Sequence, residues 1–139
     1  MNDKSEKIQT IIVDDDLIIG QMQIFMLKKM GIENPLFFSE GQKALDYLDT
    51  EAKTFGNFFI LLDLNMPGMN GWEFLEATKN KAYGEKLNVV IVTSSLFKDD
   101  LKKADNFPQV IGYFQKSLSV QEFKDIIALH EEVPNYNKK

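Results

Sequence analysis

The chain contains no cysteine, which excludes disulfides, thiolate catalysis and cysteine-ligated zinc sites outright. Long apolar runs are also missing. The longest, Phe58 to Leu62, has five residues, against the roughly 20 that a membrane-spanning helix needs. Positive charge is the minority sign: 16 Lys and Arg stand against 21 Asp and Glu, a formal net charge of −5. With a pI near 4.9, the surface has the wrong sign for gripping nucleic acid. The segment Met1 to Thr10 is polar and has no apolar signal-peptide core. No internal repeat, low-complexity stretch or interdomain linker interrupts the sequence. These absences leave a protein expected in the cytoplasm, with no nucleic acid or membrane partner, acting on proteins or small molecules.

What is present fits one domain. The 139 residues are 44% hydrophobic and 27% charged, with eleven Phe for a core, the balance of a globular chain. A single domain over 1–139 is expected, with its packed part at about 8–131. Met1–Lys7 and Glu132–Lys139 offer few apolar anchors and should be mobile.

Strand-like and helix-like segments alternate. Ile8–Val13 is a β-branched run that stops at three acids. From Asp16, a helix N-cap or first-turn acid, the apolar residues Ile18, Met22, Phe25, Met26 and Met30 recur at helical spacing, the Met residues as core, up to Gly31. Pro35–Ser39 is a second strand, and Ala44, Leu45 and Leu48 mark a second helix. Phe58–Leu62 has the unbroken apolarity of a central parallel strand buried on both faces; it ends on Asp63 and a Pro- and Gly-containing loop. A helix with Trp72, Phe74, Leu75 and Ala82 follows. Then come a strand at Asn88–Val92, a polar helix at Leu96–Asn106, a strand at Val110–Phe114 and a helix at Gln121–Glu131. Five strands and five helices in alternation predict an α/β, flavodoxin-like, doubly wound parallel sheet of order 2-1-3-4-5. Sites in such sheets lie at the carboxyl ends of the strands, near the switch point between strands 1 and 3. Those two ends carry Asp14-Asp15 and Asp63.

Three acids at neighbouring strand ends repel one another and destabilise the fold if left alone. A hard divalent cation resolves this. Mg²⁺ takes octahedral oxygen ligands at about 2.0–2.1 Å, keeps several waters and uses one or two carboxylates. Asp15 and Asp63 are the expected direct ligands, Asp14 holds a metal-bound water, and the backbone carbonyl of Asn65 completes the protein's share; Mn²⁺ is a substitute. The fourth strand ends near Thr93 and the fifth leads to Lys116, bringing a hydroxyl and an ammonium to the same rim. A phosphoryl group on Asp63 would then divide its oxygens between the cation, Thr93 and Lys116, the positioning and charge neutralisation that phosphoryl transfer requires.

These motifs resemble those of CheY-like response-regulator receiver domains. Ile12-Val13-Asp14-Asp15 is similar to the family's acidic pair. Leu61 to Gly71 follows its phosphoacceptor strand and loop nearly residue for residue. Val92-Thr93-Ser94 matches the switch hydroxyl, and Tyr113-Phe114-Gln115-Lys116 the aromatic and lysine of strand 5. The resemblance covers about 8–130. It implies an aspartyl phosphate drawn from a sensor histidine kinase or a histidine phosphotransfer protein. It also implies a switch through Thr93 and Tyr113, and an altered face of helix 4, strand 5 and helix 5 that meets a downstream protein target; self-association is left open. Asn65 and Ser95 are the positions expected to tune the phosphate's lifetime. Catalysis is limited to the chain's own phosphorylation and dephosphorylation. The family usually has Pro after the lysine, whereas Ser117 stands here. A non-proline cis bond costs about 2.5–4 kcal/mol, so a trans Lys116-Ser117 bond is expected.

Blander readings compete. Asp14-Asp15 alone would read as a solvated turn, Thr93 as an ordinary strand residue, Lys116 as a surface lysine and Tyr113 as a half-buried aromatic. The only histidine, His130, lies on a late helix far from the acids and reads as a helix C-terminal cation. A phosphatase of the haloacid-dehalogenase type also phosphorylates a strand-end Asp with Mg²⁺, but its acid/base Asp would fall at Asn65, which cannot shuttle a proton. A phosphorylation-independent docking module is the other rival. A nucleotide-binding relative is disfavoured because no Gly-rich loop follows the first strand.

Overall fold

A computed structural model describes residues 7–95 and 97–136. Five parallel strands, β1 (Ile8–Val13), β2 (Leu36–Phe38), β3 (Asn57–Leu62), β4 (Leu87–Thr93) and β5 (Val110–Gln115), form one sheet in the order β2-β1-β3-β4-β5. The helices α1 (Leu17–Lys29), α2 (Gly41–Glu51), α3 (Gly71–Lys79), α4 (Lys98–Ala104) and α5 (Val120–Tyr136) make the crossovers, and a single 3-10 turn at Gly84–Lys86 precedes β4. This is the expected flavodoxin-like topology, with strand bounds within a residue or two of those read from the sequence.

Strand side chains alternate between faces, so the apolar strands feed two cores. Ile11, Val13, Phe58, Ile60, Leu62, Val89 and Ile91 pack with Ala44, Leu48, Phe74 and Leu75 of α2 and α3. Ile12, Phe59, Leu61, Val90 and Val92 pack on the opposite face with Leu27 of α1 and Ile126 and Val133 of α5. Burying a side chain such as Phe58 or Leu61 stabilises the fold by about 1.5–3 kcal/mol each. The central strands are rigidly held, and so are the residues at their ends.

Between α3 and the α4–β5 connection the packing is different. Trp72 stacks on Phe107 with ring centroids 6.0 Å apart. Lys103 lies over Trp72 at 4.7 Å and Lys79 over Phe107 at 5.3 Å, a run of cation–π contacts.

Three expectations are corrected here. The methionines of α1 are not a core face: Met22 is 56% exposed and Met26 and Met30 are only half-buried, while Gly20, Gln23 and Leu27 point inward instead. The helix is apolar on nearly every side, so periodicity does not select a face. Contact does, because a Cβ at Gly20 would collide with the Phe37 ring, and only glycine lets α1 approach β2 so closely. Secondly, the chain does not fray at Glu132. α5 continues to Tyr136, anchored by Val133, which is fully buried in the second core one helical repeat beyond Ile126. The rest of the expected mobility, in residues 1–6 and 137–139, falls outside the described residues.

Thirdly, His130 is no C-terminal cation. It lies mid-helix, half-buried and edge-on to Phe59 at 5.0 Å between centroids. Burial lowers its pKa below the ordinary value, with the charge of Glu131 opposing. A base whose folded pKa is depressed stabilises the fold above its unfolded pKa, and that contribution fades as pH falls from about 6.5 towards the folded value. His130→Phe should therefore remove part of the acid-side loss of stability. The ring is only half-buried and solvent screens it in part, so the gain is under about 1 kcal/mol. Melting curves of the two proteins between pH 7 and pH 5 check this; parallel pH slopes would refute it.

Candidate functional site

Sheet register places the polar residues. Val13 and Leu62 are paired across β1 and β3, so the residues that follow them, Asp14 and Asp63, emerge side by side. The Asp63 N–H donates to Val13 O at 2.9 Å and the Asp14 N–H to Phe38 O at 3.1 Å, extending the ladders past the last strand residues. On the other side Thr93 pairs with Gln115, and the Lys116 N–H donates to Thr93 O at 2.8 Å. Four strand ends thus converge on one rim.

Asp14 and Asp63 are 1% and 4% exposed, and Thr93 is fully buried; Asp15 stands at the solvent edge. One carboxylate oxygen from each of the three acids lies within 4.8 Å of the others. The Lys116 Nζ is 2.6 Å from Asp14 Oδ2 and 3.3 Å from Asp63 Oδ2. Asp63 Oδ1 accepts from the Asn65 N–H at 3.2 Å, and the Asn65 side-chain amide donates to Thr93 Oγ1 at 3.3 Å. Asp14 Oδ1 accepts from the Asp16 N–H at 2.9 Å. Asp16 caps α1, accepting from the N–H groups of Ile18 and Ile19, as its position suggests.

The acids are less isolated than mutual repulsion alone implies, because Lys116 bridges two of them. Burial raises the pKa of Asp63, the Lys116 charge opposes this and the Asp14 charge adds to it, for a net rise. Burial works to lower the pKa of Lys116. The hydrogen bond to Asp14 and the charges of Asp63 and Asp14 outweigh it, and the ammonium is held above its ordinary value. Desolvation is therefore the largest influence on Asp63, ahead of crowding by its neighbours.

The loop after Asp63 is fixed by α3. Asn70 caps that helix in a reciprocal pair with Glu73, both bonds 2.9 Å. A Cβ at Gly71 would come within 2.6 Å of Asp63 O and 2.7 Å of Leu64 Cα, so the start of α3 closes directly against the Asp63 backbone. Gly71 carries this contact, a role invisible in a residue otherwise read as part of a turn. Asn65 enters through its N–H and side-chain amide, contacts that the sequence, which suggested its carbonyl for a cation and a part in the phosphate's lifetime, did not specify.

Asp14, Asp15, Asp63, Asn65, Thr93 and Lys116 are thus gathered at one place. Tyr113 and Ser95 are not. Tyr113 is an exposed β5 residue whose hydroxyl lies 3.5 Å from Asp105 Oδ1, and Ser95, in the loop after β4, makes no polar contact with the cluster. The Lys116-Ser117 bond is cis, against the trans expectation. Lys116 is anchored at its N–H by β4 and at its ammonium by Asp14 and Asp63, so tertiary anchoring, not local preference, decides the path into α5.

The donor set is all oxygen, with no histidine or cysteine near it, and so fits a hard divalent cation such as Mg²⁺ or Mn²⁺.

Comparison with known proteins bears on the family and the fold. A family model described as the response regulator receiver domain matches residues 10–128. The chain is 31% identical over 118 residues to the chemotaxis protein CheY of Pseudomonas aeruginosa, covering 84% of this chain and 90% of that protein. A two-component response regulator from Cytophaga hutchinsonii is similar in structure with a TM-score of 0.79 at 26% identity, over 94% of this chain and 98% of the other. The Mn²⁺-bound response regulator Rcp1 is similar with a TM-score of 0.70 at 26% identity, over 88% and 92% of the two chains. The chain belongs to the response regulator receiver domain family of two-component signalling.

Proposed function

We propose that this receiver domain accepts a phosphoryl group on Asp63, with Asp14, Asp15, Asp63 and the Asn65 carbonyl holding Mg²⁺ or Mn²⁺. One observation carries the reading: a buried Asp63 carboxylate lies beside two further carboxylates and 3.3 Å from an ammonium, on the rim that bears the Thr93 hydroxyl. An acid so placed gains nothing structurally and costs desolvation. An Asp63 oxygen attacks phosphorus while the donor's P–N or P–O bond breaks, and the leaving group takes its proton from solvent. A bound divalent cation supplies charge neutralisation at the phosphoryl oxygens. Lys116 is placed to leave Asp63 for one of these oxygens, and the Thr93 hydroxyl to bind another. Asn65, bonded to both Asp63 and Thr93, is the position that would tune the later hydrolysis of the phosphate.

Two apolar surfaces suit the proposed partners. Leu17, Ile18, Met22 and Phe25 are exposed on α1, the helix that begins just after Asp14 and Asp15, and would form a platform for a helical phosphodonor, a histidine kinase or phosphotransfer protein in the cytoplasm. Phe97, Tyr113 and Val120 are exposed around α4, β5 and α5, where a downstream protein would sense the change at Thr93.

Incubation with Mg²⁺ and acetyl phosphate tests the reading. Intact mass should show one added phosphoryl group, lost to hydroxylamine as an acyl phosphate is. An unchanged mass under conditions that label a known receiver domain would overturn it.

A further inference from the structure

Gln23 is the one inward-facing position of α1 that conflicts with its surroundings. It is 3% exposed; among the described residues its amide has no protein hydrogen-bond partner, and it is not among the fully enclosed orphan groups but opens on a small cavity. Its neighbours are apolar. With Ile19, Met22, Leu118 and Phe123 it walls a cavity of about 50 Å³, completed by Lys116 and Ser117. A leucine or methionine of similar size would satisfy the packing, whereas an amide with no protein partner depends on water for its hydrogen bonds. The cavity resolves the conflict. It is large enough for one or a few waters, each needing about 10–15 Å³ of such space, and it has polar groups on both sides.

We propose that Gln23 is a positioning residue for Lys116, acting across this cavity through bound water. The inference rests on the phosphoacceptor reading above. Lys116 has three N–H donors; Asp14 and Asp63 take two of them. When a phosphoryl group arrives, the ammonium must shift from a carboxylate oxygen to a phosphoryl oxygen without withdrawing from the rim. α1 packs directly on the segment that carries Lys116 into α5. A donor-and-acceptor side chain there, linked by water, fixes the loop's position while letting the ammonium make that short move. Gln23 touches neither phosphorus nor cation; it acts only through Lys116.

The test compares wild type with Gln23→Leu and Gln23→Met, which keep volume and remove the amide. Three quantities are measured: the maximal rate of phosphorylation at saturating acetyl phosphate, the Mg²⁺ dissociation constant from tryptophan fluorescence, and the melting temperature. In both variants the maximal rate should fall about tenfold, the effect of a lost polar positioning contact. Mg²⁺ affinity should stay within about twofold, since no ligand is touched, and the melting temperature should hold or rise. A purely packing role would move the melting temperature and leave the rate alone. Variants that phosphorylate at the wild-type rate overturn the inference while leaving the phosphoacceptor reading intact. If Leu fails to fold, Met decides, being unbranched and closest in shape to Gln. A wild type that gains no phosphoryl group overturns both.

Discussion

Asp63→Asn is expected to take up no phosphoryl group from acetyl phosphate and to melt above the wild type at neutral pH without Mg²⁺. The chemical loss is total because an amide oxygen is not a nucleophile towards phosphorus and the remaining acids are differently placed. Asp14 is tied to Lys116 at 2.6 Å, and Asp15 stands at the solvent edge. The gain in stability follows from the raised pKa of Asp63. A carboxyl whose folded pKa exceeds its unfolded value favours the fold fully below about pH 3.9, and loses that contribution as pH rises through the folded value. At pH 7 the wild type therefore holds an unfavourable buried charge that Asn lacks. The gain is modest, about 1 kcal/mol or less, because Lys116 already offsets part of the cost. Intact mass and melting curves at pH 4 and pH 7 decide. A wild-type degree of labelling in the variant, or a melting temperature below wild type at pH 7, would sink this assignment.

Lys116→Ala should have the opposite effect on stability. Asp14 and Asp63 are both buried and both bonded to this one ammonium. Removing one member of a buried ion cluster leaves uncompensated charge, at a cost of about 3–5 kcal/mol. Without Mg²⁺ the variant should melt well below wild type. Mg²⁺ should restore much of the difference, since a ligand at 100 times its dissociation constant stabilises by about 2.7 kcal/mol. It should also bind more tightly than in wild type, because the ammonium no longer competes for the same oxygens. Phosphorylation, where it occurs, should no longer alter the α4–β5–α5 face. Mg²⁺ titrations followed by melting temperature check these points; equal Mg²⁺ affinity in the two proteins would refute the competition.

The fold was largely legible because its strands are simple. Phe58 to Leu62 is apolar without a break, which only a doubly covered strand explains, and the acids after β1 and β3 fall at the switch point of the topology. The site was legible for the same reason: parallel strands end together, so residues just past β1, β3, β4 and β5 must meet. What the chain order hides is distance and rotation. α1 is apolar all round, so its inward face was set by Gly20 against Phe37 and could not be found from periodicity. Nothing in the sequence says that Lys116 reaches Asp14 more closely than Asp63, nor that Val133 holds α5 beyond the point where charge takes over. The cis Lys116-Ser117 bond was missed because local preference points to trans and only the anchoring on both sides of Lys116 points the other way.

The joint between α3 and α4 has a mechanical consequence. Trp72, Phe107, Lys103 and Lys79 meet face to face, and such contacts tolerate sliding, since stacking and cation–π attraction change slowly with lateral offset while hydrogen bonds fail steeply when bent. α4 buries only Ala104 among its seven residues. It is therefore coupled to the helix that closes the Asp63 loop by a greased bearing and not by a rivet. A small movement at the loop can be taken up as a glide of α4 along the rings, with few directional bonds to break.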